Sequence, residues 1–375
     1  MNVVHICSYF LGTQLYQNLI DALEQNDTKN RVYVPTINGT QASFQIHDYV
    51  DVSYCLNKYD RVLFHYKHNK ILRDFYSKYN PGKFDIIHAH TLFSNGYIAW
   101  QIYEQYNVPY IVAVRNTDIN TFFRYMPHLR GMGIEILKKS KRIIFLSEAY
   151  KDELLKKYIP IGLHSNILEK SVIIPNGIDE FWLKNRNQAK SLNSKNNINI
   201  VAAGAIDKNK NQLTTLSVCK KLILMGYKVD YTVVGRVFDK ALYKKLIGND
   251  FVQYIPHQPK EALINIYRNN EVFVMPSIHE TFGLVYAEAM SQGLPVIYSR
   301  GQGFDRQFVD GEVGYPVDSF DIDEITENII RIIDDYNNIS GRCINSVDKF
   351  DWNSIAVRYI KVYSEVIEEK ISQMS

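Results

Sequence analysis

The 375-residue chain has no apolar run approaching the ~20 residues that a membrane-spanning helix needs. It also lacks a secretory leader. Val3-Val-His-Ile-Cys7 reads as a strand from the outset, with no basic segment or apolar h-region before it, so a cytoplasmic location is expected. Cysteine is scarce: Cys7, Cys55, Cys219 and Cys343 are far apart and show neither metal-ligand nor redox spacing. That argues against a disulfide framework and for buried free thiols in a reducing compartment. Charge of one sign is missing too. Forty-three Lys and Arg against 40 Asp and Glu leave +3, so no nucleic acid or other polyanion is implied as a partner. No G-x-G-x-x-G follows either leading strand, which argues against a nicotinamide-binding Rossmann enzyme.

What is present is ordinary in bulk and ordered in pattern. Hydrophobic residues make up 46% and charged residues 22%, as in a globular protein whose length allows two to three domains. Short apolar runs alternate with helix-period segments, the pattern of a parallel α/β sheet. Strands are expected at Val3–Cys7, Arg31–Val34, Asp85–Ala89, Tyr110–Val114, Arg142–Leu146 and Val172–Ile174. After the polar stretch Asn185 to Asn197, a second set follows at Ile198–Ala203, Val229–Val234, Phe251–Ile255, Val272–Met275 and Pro295–Tyr298. Intervening helices include Leu15–Leu23, Asn95–Tyr106, Gln212–Met225 and Leu284–Ser291. The reading gives an α/β fold with domains at 1–184 and 185–352, and an amphipathic segment at 353–375.

Val274-Met-Pro-Ser277 leads into Glu280-Thr-Phe-Gly-Leu-Val-Tyr-Ala-Glu288, which sets a carboxylate on either side of a glycine turn opening an apolar helix. At 1.5 Å per residue, Glu288 lies roughly 9 Å along the axis from Phe282. The N–H groups of Phe282, Gly283 and Leu284 would mark the helix start, where backbone donors and the dipole favour a phosphate. Gly283 would let a ligand approach with no Cβ in the way. Glu288 can accept two hydrogen bonds from a vicinal diol such as a ribose, while Glu280 faces the far end of a diphosphate. One carboxylate per end suits a sugar nucleotide. The alternative makes Glu280 a helix-start charge and Glu288 a solvated side chain. Against it, Glu288 sits on a helix apolar nearly all round, where a carboxylate needs a partner.

The Glu-x7-Glu segment, continued by Ala289-Met-Ser-Gln-Gly-Leu-Pro-Val-Ile297, resembles the donor-site motif of the family-4 retaining glycosyltransferases. Further landmarks follow in the same order: Asp85-Ile-Ile-His-Ala-His90, Pro175-Asn-Gly-Ile-Asp179, Gly204 with Lys210, and Asp310-Gly-Glu-Val-Gly314. The resemblance implies the GT-B fold, with two Rossmann-like parallel-sheet domains facing a central cleft and a terminal helix crossing back to the first domain. It also implies a sugar transferred with retention of anomeric configuration, and no metal or other cofactor.

Residue roles follow from the same resemblance. Lys210 and the amides at 282–284 would stabilise the leaving diphosphate, Glu288 would hold the ribose and Glu280 the transferred sugar. Ala205 stands where the family carries an Arg, a departure for which Arg236 or Lys208 can compensate. Gly12, in Tyr9-Phe-Leu-Gly12, matches the loop facing the donor, or is simply a turn residue. Arg115 stands where the family has a His. It is always charged, so it would act electrostatically, or else pair with Asp118. His90 and Asp118 fall on the acceptor side. His88 and His90 are too isolated for a metal site, and one of them reads as a satisfied loop histidine rather than a catalyst. The basic segment 57–83, with Lys58, Arg61, Lys67, Lys70 and Arg73 among Val62, Ile71, Leu72 and Phe75, either touches an anionic membrane or packs on its own domain.

The expected function is transfer of a hexose or N-acetylhexosamine from a nucleoside-diphosphate sugar, UDP-linked by resemblance, to a glycan or lipid-linked acceptor in bacterial surface polysaccharide synthesis. Two rivals are a sugar-nucleotide epimerase of the same architecture and a non-catalytic sugar-nucleotide-binding partner of another transferase.

Overall fold

The structure, a computed structural model, describes residues 1–61 and 63–374, with the side chains of Arg61, Gln373 and Met374 excepted. Arg61 and Val62 of the basic segment therefore lie outside what is described. The chain forms two compact units: residues 1–146, 150–177 and 352 onward make the first, and 178–351 with 147–149 make the second.

The first unit holds a seven-stranded sheet of β1 (Asn2–Ile6), β2 (Lys29–Ile37), β3 (Val50–Leu56), β4 (Ile86–Ala89), β5 (Tyr110–Val114), β6 (Arg142–Phe145) and β7 (Ser171–Ile173). Its order is β3-β2-β1-β4-β5-β6-β7, with every pairing parallel. The helices are α1 (Leu15–Glu24), α2 (Phe64–Lys78), α3 (Ser94–Tyr106), α4 (Arg130–Lys139), α5 (Glu148–Tyr158) and α6 (His164–Lys170). Five adjacent residues of β5 are all buried, as expected of a parallel strand covered on both faces.

The second unit repeats the plan with β8 (Asn197–Ala203), β9 (Lys228–Val234), β10 (Val252–Ile255), β11 (Val272–Val274), β12 (Val296–Ser299) and β13 (Gly314–Val317). The order is β10-β9-β8-β11-β12-β13, again parallel throughout. Helices α7 (Glu180–Lys184), α8 (Gln212–Leu224), α9 (Lys240–Ile247), α10 (Lys260–Arg268) and α11 (Leu284–Ser291) come first. They are followed by α12 (Ile322–Asp334) and α13 (Tyr336–Ser346). Asp239 caps α9 by accepting the Ala241 and Leu242 N–H groups, and Asp321 caps α12 through Glu324 N–H. Each such cap is worth about 1 kcal/mol.

The last helix, α14 (Trp352–Met374), belongs to the first unit. Its Ile355, Tyr359, Val362, Tyr363 and Val366 are buried in the core that also takes Val3, Val32, Ile86 and Leu19. Trp352 lies flat on Gly177, where an added Cβ would come within 2.5 Å of the indole, so the glycine in Pro175-Asn-Gly serves this packing.

The basic segment folds as a short 3₁₀ turn and α2. Its His68, Ile71, Leu72 and Phe75 turn inward, while Lys70 pairs with Asp60 at 2.9 Å. Domain packing thus uses most of its apolar side chains and leaves Tyr59, Leu63 and Tyr66 exposed. No helix of the described residues is long and apolar enough to cross a membrane.

Candidate functional site

In the second unit the carboxyl ends of β8, β9 and β10 open on a cavity of about 420 Å³. Its walls are Gly204 and Ala205 after β8, Arg236 and Phe238 after β9, His257 and Gln258 after β10, and Val285 and Glu288 on α11. Cavities in such sheets form where the strand order reverses, here between β8 and β11. A larger hollow, about 1130 Å³, lies in the first unit among Asn2, Lys29, Arg31 and Lys83 at the amino ends of its strands. It is the wrong end of a parallel sheet for a ligand.

Lys210 and Glu280 meet at 2.6 Å, 70 residues apart in sequence. Paired amides make the meeting possible. Asn209 Nδ2 donates to the His279 carbonyl at 3.0 Å, and His279 N–H returns a bond to Asn209 Oδ1 at 3.0 Å. Asn211, in the left-handed conformation at φ 56, donates to the Pro276 and Ser319 carbonyls. Asp207 receives the Lys210 N–H, so the loop after β8 is stapled to the segment after β11. The Lys210 side chain crosses Gly204, where an added Cβ would lie 3.5 Å from Cε.

Behind Glu280 the backbone is clamped from β12's end. Gln302 Oε1 accepts the Glu280 N–H and Gly303 N–H donates to the Glu280 carbonyl, both at 2.9 Å. Gly303 must be glycine, because a Cβ there would sit 2.0 Å from the Thr281 carbonyl oxygen. Gly283 has φ +79 and caps α11, and its Cβ would fall 2.4 Å from the Tyr286 ring. The turn and Tyr286 thus require the glycine, beside the ligand clearance read from the sequence. Phe282 is buried, and among the described residues no acceptor takes the N–H groups of Phe282, Gly283 or Leu284. Those donors mark a helix mouth suited to an anion.

Glu288 lies roughly a turn and a half further along, on the cavity wall. Its carboxylate accepts no hydrogen bond among the described residues. Burial, and then Asp179, push its pKa up to about 7, with Lys260 pulling the other way. Asp179 itself caps α7 at Phe181 N–H and pairs with Lys260 at 2.6 Å. Arg236 is exposed on the cavity wall, and its carbonyl accepts Ile206 N–H at 2.8 Å, which ties the backbone after β9 to the Ala205 loop. Lys208 is exposed on that loop.

In the first unit the remaining sequence-derived residues gather at the carboxyl ends of β4 and β5. Asp118 is buried and accepts N–H bonds from Leu92, Phe93 and Arg115 at 3.0, 3.1 and 2.8 Å. Burial outweighs these donors and raises its pKa to about 6. The carboxylate thus ties two loops together, and its bond to Arg115 is to the backbone. The Arg115 guanidinium reaches the His90 carbonyl at 3.3 Å and Asn176 Oδ1 at 3.5 Å. Gly12, itself exposed, closes a 3₁₀ turn whose Phe10 and Leu11 are buried, and an added Cβ there would meet nothing within 4 Å.

His88 lies on β4 and His90 in the bend just after it, and neither stands apart. Both are buried, and His5 on the neighbouring strand joins them: its Nδ1 lies 3.1 Å from His90 Nε2 and its Nε2 2.9 Å from Asn30 Oδ1. His88 Nδ1 bonds the Tyr363 hydroxyl of α14 at 2.7 Å. Burial lowers His5 to about 4 and the other two well below the usual imidazole range. Burial thus keeps these imidazoles neutral, and with one ring nitrogen from each lying within 4.8 Å of the others, the sequence reading of histidines too isolated for a metal site is corrected. His5 escaped the sequence reading because its partners lie about 85 residues away.

Residues 13–180 match the family model described as Glycosyltransferase Family 4, and residues 184–349 the model described as Glycosyl transferases group 1. The chain is similar to the D-inositol 3-phosphate glycosyltransferase of Mycolicibacterium smegmatis, at 25% identity over 308 residues that cover 78% of this chain and 69% of that protein. Its fold is similar to sucrose-phosphate synthase from Thermosynechococcus elongatus, with a TM-score of 0.73, 17% identity, and coverage of 98% of this chain and 100% of that one. It is also similar in fold to Anabaena HepE, solved in complex with UDP, with a TM-score of 0.69, 15% identity, and coverage of 97% and 100%. The GT-B class of paired Rossmann-like sheets, expected from sequence, is the fold observed. With one glycosyltransferase domain matched in each half, the chain is a glycosyltransferase of the family-4 type.

Proposed function

We propose that the chain is a retaining hexosyltransferase that takes a hexose or N-acetylhexosamine from a UDP-sugar and needs no metal. The observation carrying this is Glu288, a carboxylate without a hydrogen-bond partner on a cavity wall, on the same helix whose start presents the unpaired amides and follows the Lys210–Glu280 pair. A nucleoside-diphosphate sugar supplies each group its counterpart. The ribose hydroxyls donate to Glu288, the diphosphate takes the amides at 282–284 with Lys210 and Arg236, and the sugar hydroxyls meet Glu280. Donors aimed at the leaving diphosphate stabilise the charge that develops as the glycosidic bond breaks. UDP in the Anabaena neighbour supports this choice of donor. The leaving phosphate takes the acceptor proton on the same face, which gives retention without an enzyme nucleophile.

The acceptor is a glycan or a lipid-linked saccharide, in bacterial surface polysaccharide assembly such as capsule or lipopolysaccharide. The exposed Tyr59, Leu63 and Tyr66 beside Lys58 give the first unit a means of resting on an anionic leaflet. The test is a panel of UDP-glucose, UDP-galactose, UDP-N-acetylglucosamine and GDP-mannose, read by thermal shift and donor hydrolysis. At least one UDP-sugar should raise the melting temperature and be turned over. Lys210→Ala and Glu280→Ala should each cut turnover roughly 100-fold or more with the fold intact. Wild-type rates in both variants would refute the assignment.

A further inference from the structure

The segment that follows β5 has an unusual build, and we infer that its outer face, carrying Asn120, Thr121, Arg124 and Tyr125, seats the acceptor saccharide. This rests on the transferase reading above and names the part of the first unit that reads the acceptor.

Residues Asp118–Phe123 form a π-helix, with Arg124 N–H reaching back five residues to the Ile119 carbonyl. Such turns are rare and are frequent at functional sites. Here the inner face is fixed firmly. Asp118 holds the loops after β4 and β5, Ile119 and Phe123 are fully buried, and Phe122 stacks on Phe93 with ring centroids 4.7 Å apart. Gly133 of α4 gives the Phe93 ring its room, since a Cβ there would lie 2.7 Å from it, and 3.2 Å from the Phe123 ring.

The outer face carries a different set of groups. Asn120 donates to the Asn116 amide oxygen, Thr121 and Arg124 are exposed, and the Tyr125 ring is 67% exposed with the Arg124 guanidinium 5.2 Å from its centroid. Amides and a hydroxyl pair with sugar hydroxyls, and an exposed aromatic face receives the apolar C–H face of a pyranose. A merely solvated face explains the polar residues, and the exposed ring beside them adds the apolar surface that a sugar face needs. The position is also right, since Arg115-Asn116 leave the carboxyl end of β5, where ligands of parallel sheets bind.

The test uses the full chain, the UDP-sugar that the panel selects, and p-nitrophenyl glycosides of glucose, galactose, mannose and N-acetylglucosamine as acceptors. Tyr125→Ala and Asn120→Ala should raise the acceptor KM about tenfold, the worth of one aromatic contact, with donor KM and donor hydrolysis unchanged. Tyr125→Phe should behave as wild type. Unaltered acceptor KM in Tyr125→Ala would overturn the inference, and so would donor hydrolysis by the wild type with transfer to none of the glycosides. Failure to bind or hydrolyse any donor would instead sink the proposed function and take this inference with it.

Discussion

Glu288 shows how far one side chain's surroundings set its chemistry. Its carboxyl group titrates near about 7 in the fold, against an ordinary 4.5, chiefly because it is buried. The folded chain therefore holds this proton more tightly than the unfolded chain does. The resulting stabilisation is complete below the unfolded pKa and is lost as pH rises through the folded one. Melting temperatures of wild type and Glu288→Gln should thus diverge between about pH 5 and about pH 8, with the wild type losing ground as pH rises. A constant difference across that window would contradict the assignment. Nucleotide affinity should run the opposite way, rising with pH, because ribose hydroxyls donate best to the ionised form. The sequence made Glu288 legible, since a carboxylate on a wholly apolar helix stands out. Asp179 stood out only as the end of the Pro175-Asn-Gly-Ile-Asp179 landmark, and no sequence pattern tied it or Lys260 to the charge of Glu288.

At the scale of elements, the decisive feature is the staple between the loop after β8 and the segment after β11. Asn209 and Asn211 set Lys210 on Glu280 through bonds spanning 65 to 108 residues. Removing one amide pair should loosen the lysine without touching the core. Asn209→Ala is expected to lower turnover about 10- to 100-fold, the usual cost of a misplaced charge, while the melting temperature barely moves. A large loss of stability with activity per folded molecule retained would show the asparagine to be structural only.

Most strands were readable as apolar runs, and their bounds shifted by up to three residues. Two were not. β3 alternates polar with apolar residues as an edge strand does, and β13 is a four-residue Gly-Tyr-Pro-Val whose proline argues against a strand. The π-helix was hidden as well, since Asp-Ile-Asn-Thr-Phe-Phe has no period of its own and is held by Asp118's bonds to other loops. Asp118 and Arg115 were placed at the correct strand end, yet the carboxylate serves backbone amides.

For the whole molecule, α14 is the element on which the first unit depends. Burying Ile355, Tyr359, Val362, Tyr363 and Val366 is worth about 1.5–3 kcal/mol per side chain, on the order of 10 kcal/mol together. That rivals the entire stability of an ordinary domain, about 5–15 kcal/mol. A chain ending at Asp351 should therefore lose cooperative unfolding of the first unit, seen by circular dichroism and proteolysis. A soluble truncated chain with the wild-type transition would refute this.

Tyr363 closing on His88 also has a consequence for biosynthesis. Residues 178–351 must leave the ribosome before Trp352 can reach Gly177, and at about 5–20 residues per second that is a wait on the order of 10–30 s. During that interval the nascent amino-terminal half carries an uncovered sheet face, which a chaperone would have to shield. The half that is translated first is the half that is completed last.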